Sequence, residues 1–89
     1  MMTAYIHVFL KPAVLDPQGQ AITGALHNLG FDQVKSARQG KMIEVEIDDA
    51  GLDDEQIADK LQSMCDKLLA NPVIEDYEIH FSLDDIAAA

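Results

Sequence analysis

Two histidines are the strongest candidates for metal chemistry in this chain. His7 and His80 both fall in segments that alternate between apolar and polar residues, which is typical of β-strands with one buried face. If those strands are neighbours, both imidazoles point to the same side of a sheet. A third ligand would have to be Glu44, Glu78 or a residue of a second subunit, because Cys65 is predicted on the opposite side. Two ligands do not complete a metal site, so the sequence predicts solvent-facing histidines and no bound metal.

No other group of residues has the pattern of a catalytic centre. A nucleophile needs a histidine close by and a third group that orients it, and the serines and threonines lack any local motif of that kind. His27 lies in a predicted helix without an evident carboxylate or nucleophile partner. The acidic run from Asp48 to Glu55 does not have the spacing of an EF-hand loop, and a capped helix start accounts for its second half. The sequence therefore predicts a chain without catalytic residues of its own.

The strongly negative charge of the chain excludes several classes of partner. Its 89 residues include 16 acidic and 6 basic ones, which gives a formal charge of −10 and a pI near 4.3. Such a field repels nucleic acids and phosphorylated metabolites. The single cysteine, Cys65, cannot form an internal disulfide, and no leader or membrane-spanning apolar run is evident. We expect a cytoplasmic protein with one domain, residues 1–85, and a tail at 86–89 that frays.

The order of predicted elements points to an α+β fold of the ferredoxin-like type. Asp16 followed by Pro17 suits a helix start, Gly30 suits its end, and the pair Gln39-Gly40 suits a tight hairpin turn. The elements are strands at 5–10, 31–38, 43–47 and 74–83 and helices at 17–29 and from 54 to about 70. This βαββαβ order predicts a four-stranded antiparallel sheet, in spatial order 4-1-3-2, with two helices on one face.

Side-chain alternation assigns residues to the two faces of this sheet. Ile6, Val8 and Leu10 are predicted to face the helices, as are the apolar residues of the last strand up to Phe81. The second helix is predicted to turn one apolar stripe inward: Ile57, Ala58, Leu61, Met64, Cys65, Leu68 and Leu69. Tyr5 and Phe9 fall on the uncovered face, where two aromatic rings form a candidate surface for self-association.

The motifs between Leu10 and Lys41 resemble those of one protein family. Leu15-Asp16-Pro17-Gln18-Gly19 is followed by Ala25-Leu26-His27-Asn28-Leu29-Gly30-Phe31 and then by Arg38-x-Gly40-Lys41. In this order and at these distances the motifs resemble the PurS family, the small subunits of phosphoribosylformylglycinamidine synthase. The resemblance covers about the whole domain, including Asn71-Pro72-Val73-Ile74-Glu75-Asp76-Tyr77 near its end.

The resemblance implies an accessory role in de novo purine biosynthesis. In this family's enzyme, an ATP- and glutamine-dependent C–N ligase, a synthetase subunit (PurL) uses ATP and Mg²⁺ and a glutaminase subunit (PurQ) supplies ammonia. PurS-like chains join the two as homodimers or homotetramers, supporting ammonia transfer without catalytic residues or a cofactor of their own. The resemblance therefore implies that this chain works by association.

Recognition on a rigid scaffold usually lies in loops, which selects a set of candidate contact residues. The segment from Lys11 to Gly19 and the segment from Arg38 to Lys41 are the two loops that carry the family motifs. We expect contacts with partner subunits from Lys11, Gln18, Gly19, Arg38 and Lys41. A different class of function stays open at this point, because ferredoxin-like dimers also serve as amino-acid-sensing regulatory domains.

Overall fold

The computed structural model describes residues 1–84 as an elongated α+β domain of 54 × 28 × 16 Å. Its elements in chain order are β1 (Met2–Leu10), α1 (Pro17–Asn28), β2 (Lys41–Ile47), α2 (Asp54–Met64) and β3 (Glu75–His80). A π-helical turn, Cys65–Leu69, continues α2. The predicted tail at 86–89 lies outside the described residues. No helix within 1–84 combines the length and the apolarity needed to cross a membrane.

A three-stranded antiparallel sheet forms the framework, with β1 in the middle and the order β2-β1-β3. Ile6 of β1 pairs with Ile43 of β2 on one side and with Ile79 of β3 on the other. The buried residues of β1 are Ala4, Ile6 and Val8, and they meet Ile57, Leu61 and Cys65, all buried. The predicted placement on the helix side is therefore confirmed for Ile6 and Val8, whereas Leu10 lies outside the core cluster. Among the described residues, α2 and the π-helical turn that continues it cover that side.

The start of α2 is determined by its local sequence. The Asp53 carboxylate accepts a hydrogen bond from the Gln56 N–H at 2.8 Å, and the Gln56 side-chain oxygen accepts one from the Asp53 N–H at 3.0 Å. This reciprocal capping box satisfies two donors that a helix start leaves free. Leu52 packs against the core cluster just before the cap. These contacts fix where α2 begins and hence which of its faces meets the sheet.

The predicted strand at 31–38 and its hairpin at Gln39-Gly40 are wrong for the described residues. The segment 31–40 forms no strand, and side chains satisfy part of its backbone instead of a β-ladder. His27 Nε2 donates to the Val34 carbonyl at 2.6 Å, and Asp16 accepts from the Gln39 N–H at 2.8 Å. The segment has few apolar residues and no alternation, so it gains little from a place in the sheet.

The prediction that both helices cover one face of the sheet is also wrong. The core cluster and the side chains packed on it include no residue of α1, whose Ile22 stays 38% exposed and whose C-cap residue, Leu29, stays 73% exposed. Three strands about 4.8 Å apart make a sheet roughly as wide as one helix with its side chains, about 10–12 Å. Without the expected fourth strand, α2 is enough to cover the sheet, and α1 is left outside the core.

The C-terminal half of the domain differs from the prediction in two details. The π-helical turn, closed by the Ala70 N–H donating to the Cys65 carbonyl at 2.9 Å, holds one more residue than an α-turn. That extra residue changes the direction in which the side chains of the turn point, so Leu68 is 83% exposed instead of inward-facing, while Ala70 is buried. The last strand ends at His80, and Phe81 is 48% exposed because it lies beyond the ladder.

Candidate partner-binding junction

The loop after β1 and the segment before β2 meet at the buried carboxylate of Asp16. Asp16 is only 6% exposed. One of its oxygens accepts the Gly19 N–H at 2.9 Å, as an N-cap, and the other accepts the Gln39 N–H at 2.8 Å. These backbone hydrogen bonds stabilise the charged carboxylate, and the bond from Gly19 has the largest effect. They lower the pKa of the Asp16 carboxyl below its ordinary value of 3.8. We call residues 11–19 with 37–41 the Asp16 junction.

Two glycines permit the close approach of chain segments at the Asp16 junction. A Cβ on Gly19 would lie 2.1 Å from the carbonyl oxygen of Ala37, which no side chain can tolerate. A Cβ on Gly40 would lie 2.8 Å from the carbonyl oxygen of Val8. Both positions need a residue without a side chain because backbone atoms, which cannot move aside cheaply, occupy the space. The first turn of α1 is thereby fixed against the segment that enters β2.

The cations of the junction differ in how far they are engaged within the chain. The Arg38 guanidinium donates to the carbonyls of Lys11 at 3.1 Å and Val14 at 3.2 Å. Lys11 Nζ lies 2.6 Å from the Asp76 carboxylate, with both side chains about two-fifths exposed. Lys41 Nζ reaches Glu75 only at 4.0 Å, and its side chain is 59% exposed. Of these three residues, Lys41 therefore makes the weakest contact within its own chain.

An open groove of about 250 Å³ runs across this junction. Its lining combines the ends of β1 with both loops and the start of β3: Val8, Leu10, Asp16, Pro17, Gln18, Gln39, Gly40, Lys41 and Glu75. Among the predicted contact residues, Gln18 and Lys41 line the groove and are exposed. Gly19 is buried beneath it, and Lys11 and Arg38 hold the loops together. The structure therefore brings these five residues into one region, with only part of them free to contact another molecule.

The two aromatic residues predicted for self-association lie away from this junction, on the uncovered side of the sheet. Tyr5 is paired with Glu44 on one side and His80 on the other, and Phe9 is paired with Asp76. The rings of Phe9 and His7 are 4.9 Å apart. Both aromatic residues are half-buried. Whether they mediate self-association stays a prediction.

The side chains that could do chemistry are not assembled into a catalytic or metal centre in residues 1–84. His80 Nε2 lies 3.1 Å from the Glu78 carboxylate, and His7 is paired with Glu78 and Met42 in the sheet. No three metal-ligating side chains come together in that range. Burial raises the pKa of the Cys65 thiol, which keeps it protonated and unreactive.

Sequence reasoning missed the acidic partners of the junction. Asp76 and Glu75 come from β3, more than thirty residues after the lysines they face. The sequence predicts Asp16 only as a helix cap, whereas its second oxygen also anchors Gln39. The one signal available in the sequence is that isolated cations in an acidic chain find carboxylate partners. It does not say which carboxylates these are.

Comparison with known proteins gives one consistent result. A family model described as PurS, phosphoribosylformylglycinamidine (FGAM) synthase, matches residues 3–83. The chain is 49% identical over 79 residues to the phosphoribosylformylglycinamidine synthase subunit PurS of Mycobacterium leprae, covering 89% of this chain and 94% of that protein.

Solved structures agree with the sequence matches. The crystal structure of Methanocaldococcus jannaschii PurS superposes with a TM-score of 0.79 at 42% identity, covering 90% of this chain and 94% of that one. A chain in the structure of PurLQS from Thermotoga maritima superposes with a TM-score of 0.67 at 28% identity, covering 89% and 94%. The likeness therefore extends over nearly the whole length of each protein.

Proposed function

The chain belongs to the PurS family and is a subunit of phosphoribosylformylglycinamidine synthase in purine biosynthesis, and we propose that it is the enzyme's non-catalytic adaptor. In this role it joins the glutaminase subunit (PurQ) to the ATP-dependent synthetase subunit (PurL) in the cytoplasm and supports the transfer of ammonia between them. The observation that carries the proposal is the likeness of almost the whole chain to one chain of the PurLQS structure.

The chemistry of the described residues supports an adaptor over a catalyst. The cysteine is buried and its thiol pKa is raised, and the ring nitrogens of His27 and His80 face the Val34 carbonyl and the Glu78 carboxylate. A surface of charge −10 opposes a phosphorylated substrate. In the proposal, ATP and Mg²⁺ are bound by the synthetase subunit, and this chain binds neither.

The surface of α1 supports assembly of the adaptor as a homodimer or homotetramer. Leu15, Ile22, Leu29 and Phe31 lie on or beside α1 and are between 38% and 73% exposed. Residues 17–28 include no Asp, Glu, Lys or Arg, although the chain as a whole is strongly acidic. Two copies can therefore meet along α1 without bringing like charges together, and the contact would remove apolar surface from water. We assign this surface, Leu15 with residues 22–31, to a second copy and call it the α1 surface.

The Asp16 junction supports contact with a partner subunit through its exposed residues. Gln18 and Lys41 line the open groove and are the residues we place in direct contact. Lys11 pairs with Asp76 and Arg38 donates to two carbonyls of the loop after β1, so both hold the loops in position. Gly19 contributes by allowing α1 to approach Ala37.

Reconstitution tests the proposal. The synthetase and glutaminase subunits are assayed for amidination with glutamine and, separately, with ammonium chloride, each with and without this chain. The expected result is that the glutamine-dependent rate requires the chain, whereas the ammonia-dependent rate of the synthetase subunit does not. Equal glutamine-dependent rates with and without the chain would overturn the adaptor role. A thermal shift of the isolated chain with glutamine would instead favour amino-acid sensing.

A further inference from the structure

The uncovered side of the sheet carries a column of rings between two acidic borders. We call this the open face: Thr3, Tyr5, His7 and Phe9 on β1, Met42, Glu44 and Glu46 on β2, and Asp76, Glu78 and His80 on β3. The central strand supplies the rings of Tyr5, His7 and Phe9. Glu44 and Glu46 stand on one side of them, and Asp76 and Glu78 stand on the other.

The carboxylates of the open face are only partly neutralised within the chain. Asp76 pairs with Lys11 at 2.6 Å, and Glu78 lies 3.1 Å from the His80 ring. Glu44 and Glu46 are exposed, and neither is in an ion pair with any residue of the described range. No lysine or arginine occupies an open-face position in the three strands. The face therefore has a lasting negative charge around an aromatic centre.

This charge decides between two kinds of occupant. A second copy laid face to face would bring one set of carboxylates against another, which opposes association. An arginine side chain suits the same face in two ways, because its guanidinium stacks on aromatic rings and donates paired hydrogen bonds to carboxylates. Tyr5 and Phe9 provide the rings, and Glu44 and Glu46 provide adjacent carboxylates on β2.

We propose that the open face is a docking surface for a basic, arginine-bearing protein surface on another subunit of the enzyme, and not for a second copy of this chain. The identity of that partner rests on the proposed function. Arginines of the partner lie over Tyr5 and Phe9 and pair with Glu44 and Glu46. The adaptor then has two chemically different surfaces. The uncharged α1 surface binds a second copy of the chain, and the acidic open face binds a basic partner.

Charge reversal tests the proposal with a matched control. The double variant Glu44→Lys, Glu46→Lys changes the open face, and Glu55→Lys, Asp59→Lys makes the same charge change at exposed positions of α2. Binding to the synthetase and glutaminase subunits is measured at low and high salt. The open-face variant is expected to bind about tenfold or more weakly and with a smaller salt dependence, whereas the α2 control stays within about twofold of the unmodified chain.

Three results separate the possible failures. If the unmodified chain binds neither subunit, the adaptor role itself fails. If it binds and the two double variants behave alike, the adaptor role stands and the open-face proposal is overturned. If the open-face variant keeps its partners but changes the sedimentation of the chain alone, the face belongs to a second copy, and the proposal is overturned.

A probe that needs no other subunit tests the same face directly. An oligo-arginine peptide is titrated into the isotope-labelled chain, and amide and side-chain NMR shifts are followed. Shifts concentrated at Tyr5, His7, Phe9 and Glu44, and reduced by Tyr5→Ser, Phe9→Ser, are the expected result. Shifts centred on the acidic start of α2 and unaffected by that variant would overturn the proposal.

Discussion

The sheet with α2 and the Asp16 junction with α1 are held together by different forces. In the first region, fully buried apolar residues such as Ile6 and Leu61 meet across a helix-sheet interface. In the second, one buried carboxylate and two glycines position loops, and the helix they position adds nothing to the core. The first region sets the stability of the fold, whereas the second sets the shape of the surface that we propose contacts a partner subunit. Substitutions in the two regions should therefore have different effects on stability and on assembly.

The largest loss of stability is expected from truncating the core. Leu61→Ala removes a side chain that is 0% exposed and should lower the free energy of unfolding by about 2–5 kcal/mol. Leu68→Ala removes the same atoms from a residue 83% exposed and should change it by less than about 0.5 kcal/mol. Urea denaturation measures both. Equal losses would mean that the π-helical turn does not rotate Leu68 out of the core.

A smaller loss is expected at the junction, where two glycines of the same helix behave oppositely. Gly19→Ala places a methyl group against the Ala37 carbonyl and should cost about 1–3 kcal/mol, because backbone must shift to admit it. Gly24→Ala meets nothing within 4 Å and should stabilise the chain by about 0.5–1 kcal/mol. Thermal unfolding of both variants checks this. A neutral Gly19→Ala would show that α1 is not fixed against residue 37.

The contribution of Asp16 should depend on pH. Because its folded pKa lies below the ordinary 3.8, the carboxylate stabilises the fold above that pH, and the stabilisation is lost as the pH falls through the folded pKa. Asp16→Asn should thus lower the urea midpoint near neutral pH and have a smaller effect near about pH 3. Asp49→Asn gives a comparison, because the pKa of Asp49 is also lowered, there by the N-terminal ammonium group, and its contribution should depend on pH with the same sign. If Asp16→Asn lowers the urea midpoint equally at both pH values, the pKa of Asp16 is not lowered in the folded chain.

Only a small effect on stability is expected at Lys41, which makes that residue a clean test of partner contact. Its ion pair is long, at 4.0 Å, and the Lys41 side chain is 59% exposed, so Lys41→Ala should change the free energy of unfolding by less than about 0.5 kcal/mol. We expect the variant to weaken assembly with the partner subunits and to reduce the glutamine-dependent rate. Arg38→Ala is less informative, because it also removes two hydrogen bonds that join the segment before β2 to the loop after β1. Unchanged assembly for Lys41→Ala would remove that residue from the interface.

The two regions also differ in how far the sequence predicts them. The sequence correctly predicts features that depend on residues close together in the chain. Asp16 caps α1, Asp53 and Gln56 form the capping box of α2, and Gly30 follows the end of α1 with a positive φ of 98°. Alternation correctly assigns β1 and β2 to the sheet.

Prediction fails where the outcome depends on distant residues. Turn signals at 39–40 indicate a hairpin, but the partner of Gln39 is a carboxylate 23 residues earlier. The apolar spacing of α1 indicates packing on the sheet, but no residue of α1 belongs to the core cluster or to the side chains packed on it. The family resemblance predicts the function, because motif order and distance carry information that periodicity does not.

Oxidative footprinting of the assembled enzyme tests the account most directly. Tyr5, Phe9 and Met42 report on the open face, and Leu29 and Phe31 report on the α1 surface. The account predicts that Leu29 and Phe31 become protected as the chain alone self-associates, and that Tyr5, Phe9 and Met42 become protected only when the synthetase and glutaminase subunits are added. Protection of Tyr5, Phe9 and Met42 in the self-associated chain, with no change on adding the other subunits, would contradict it.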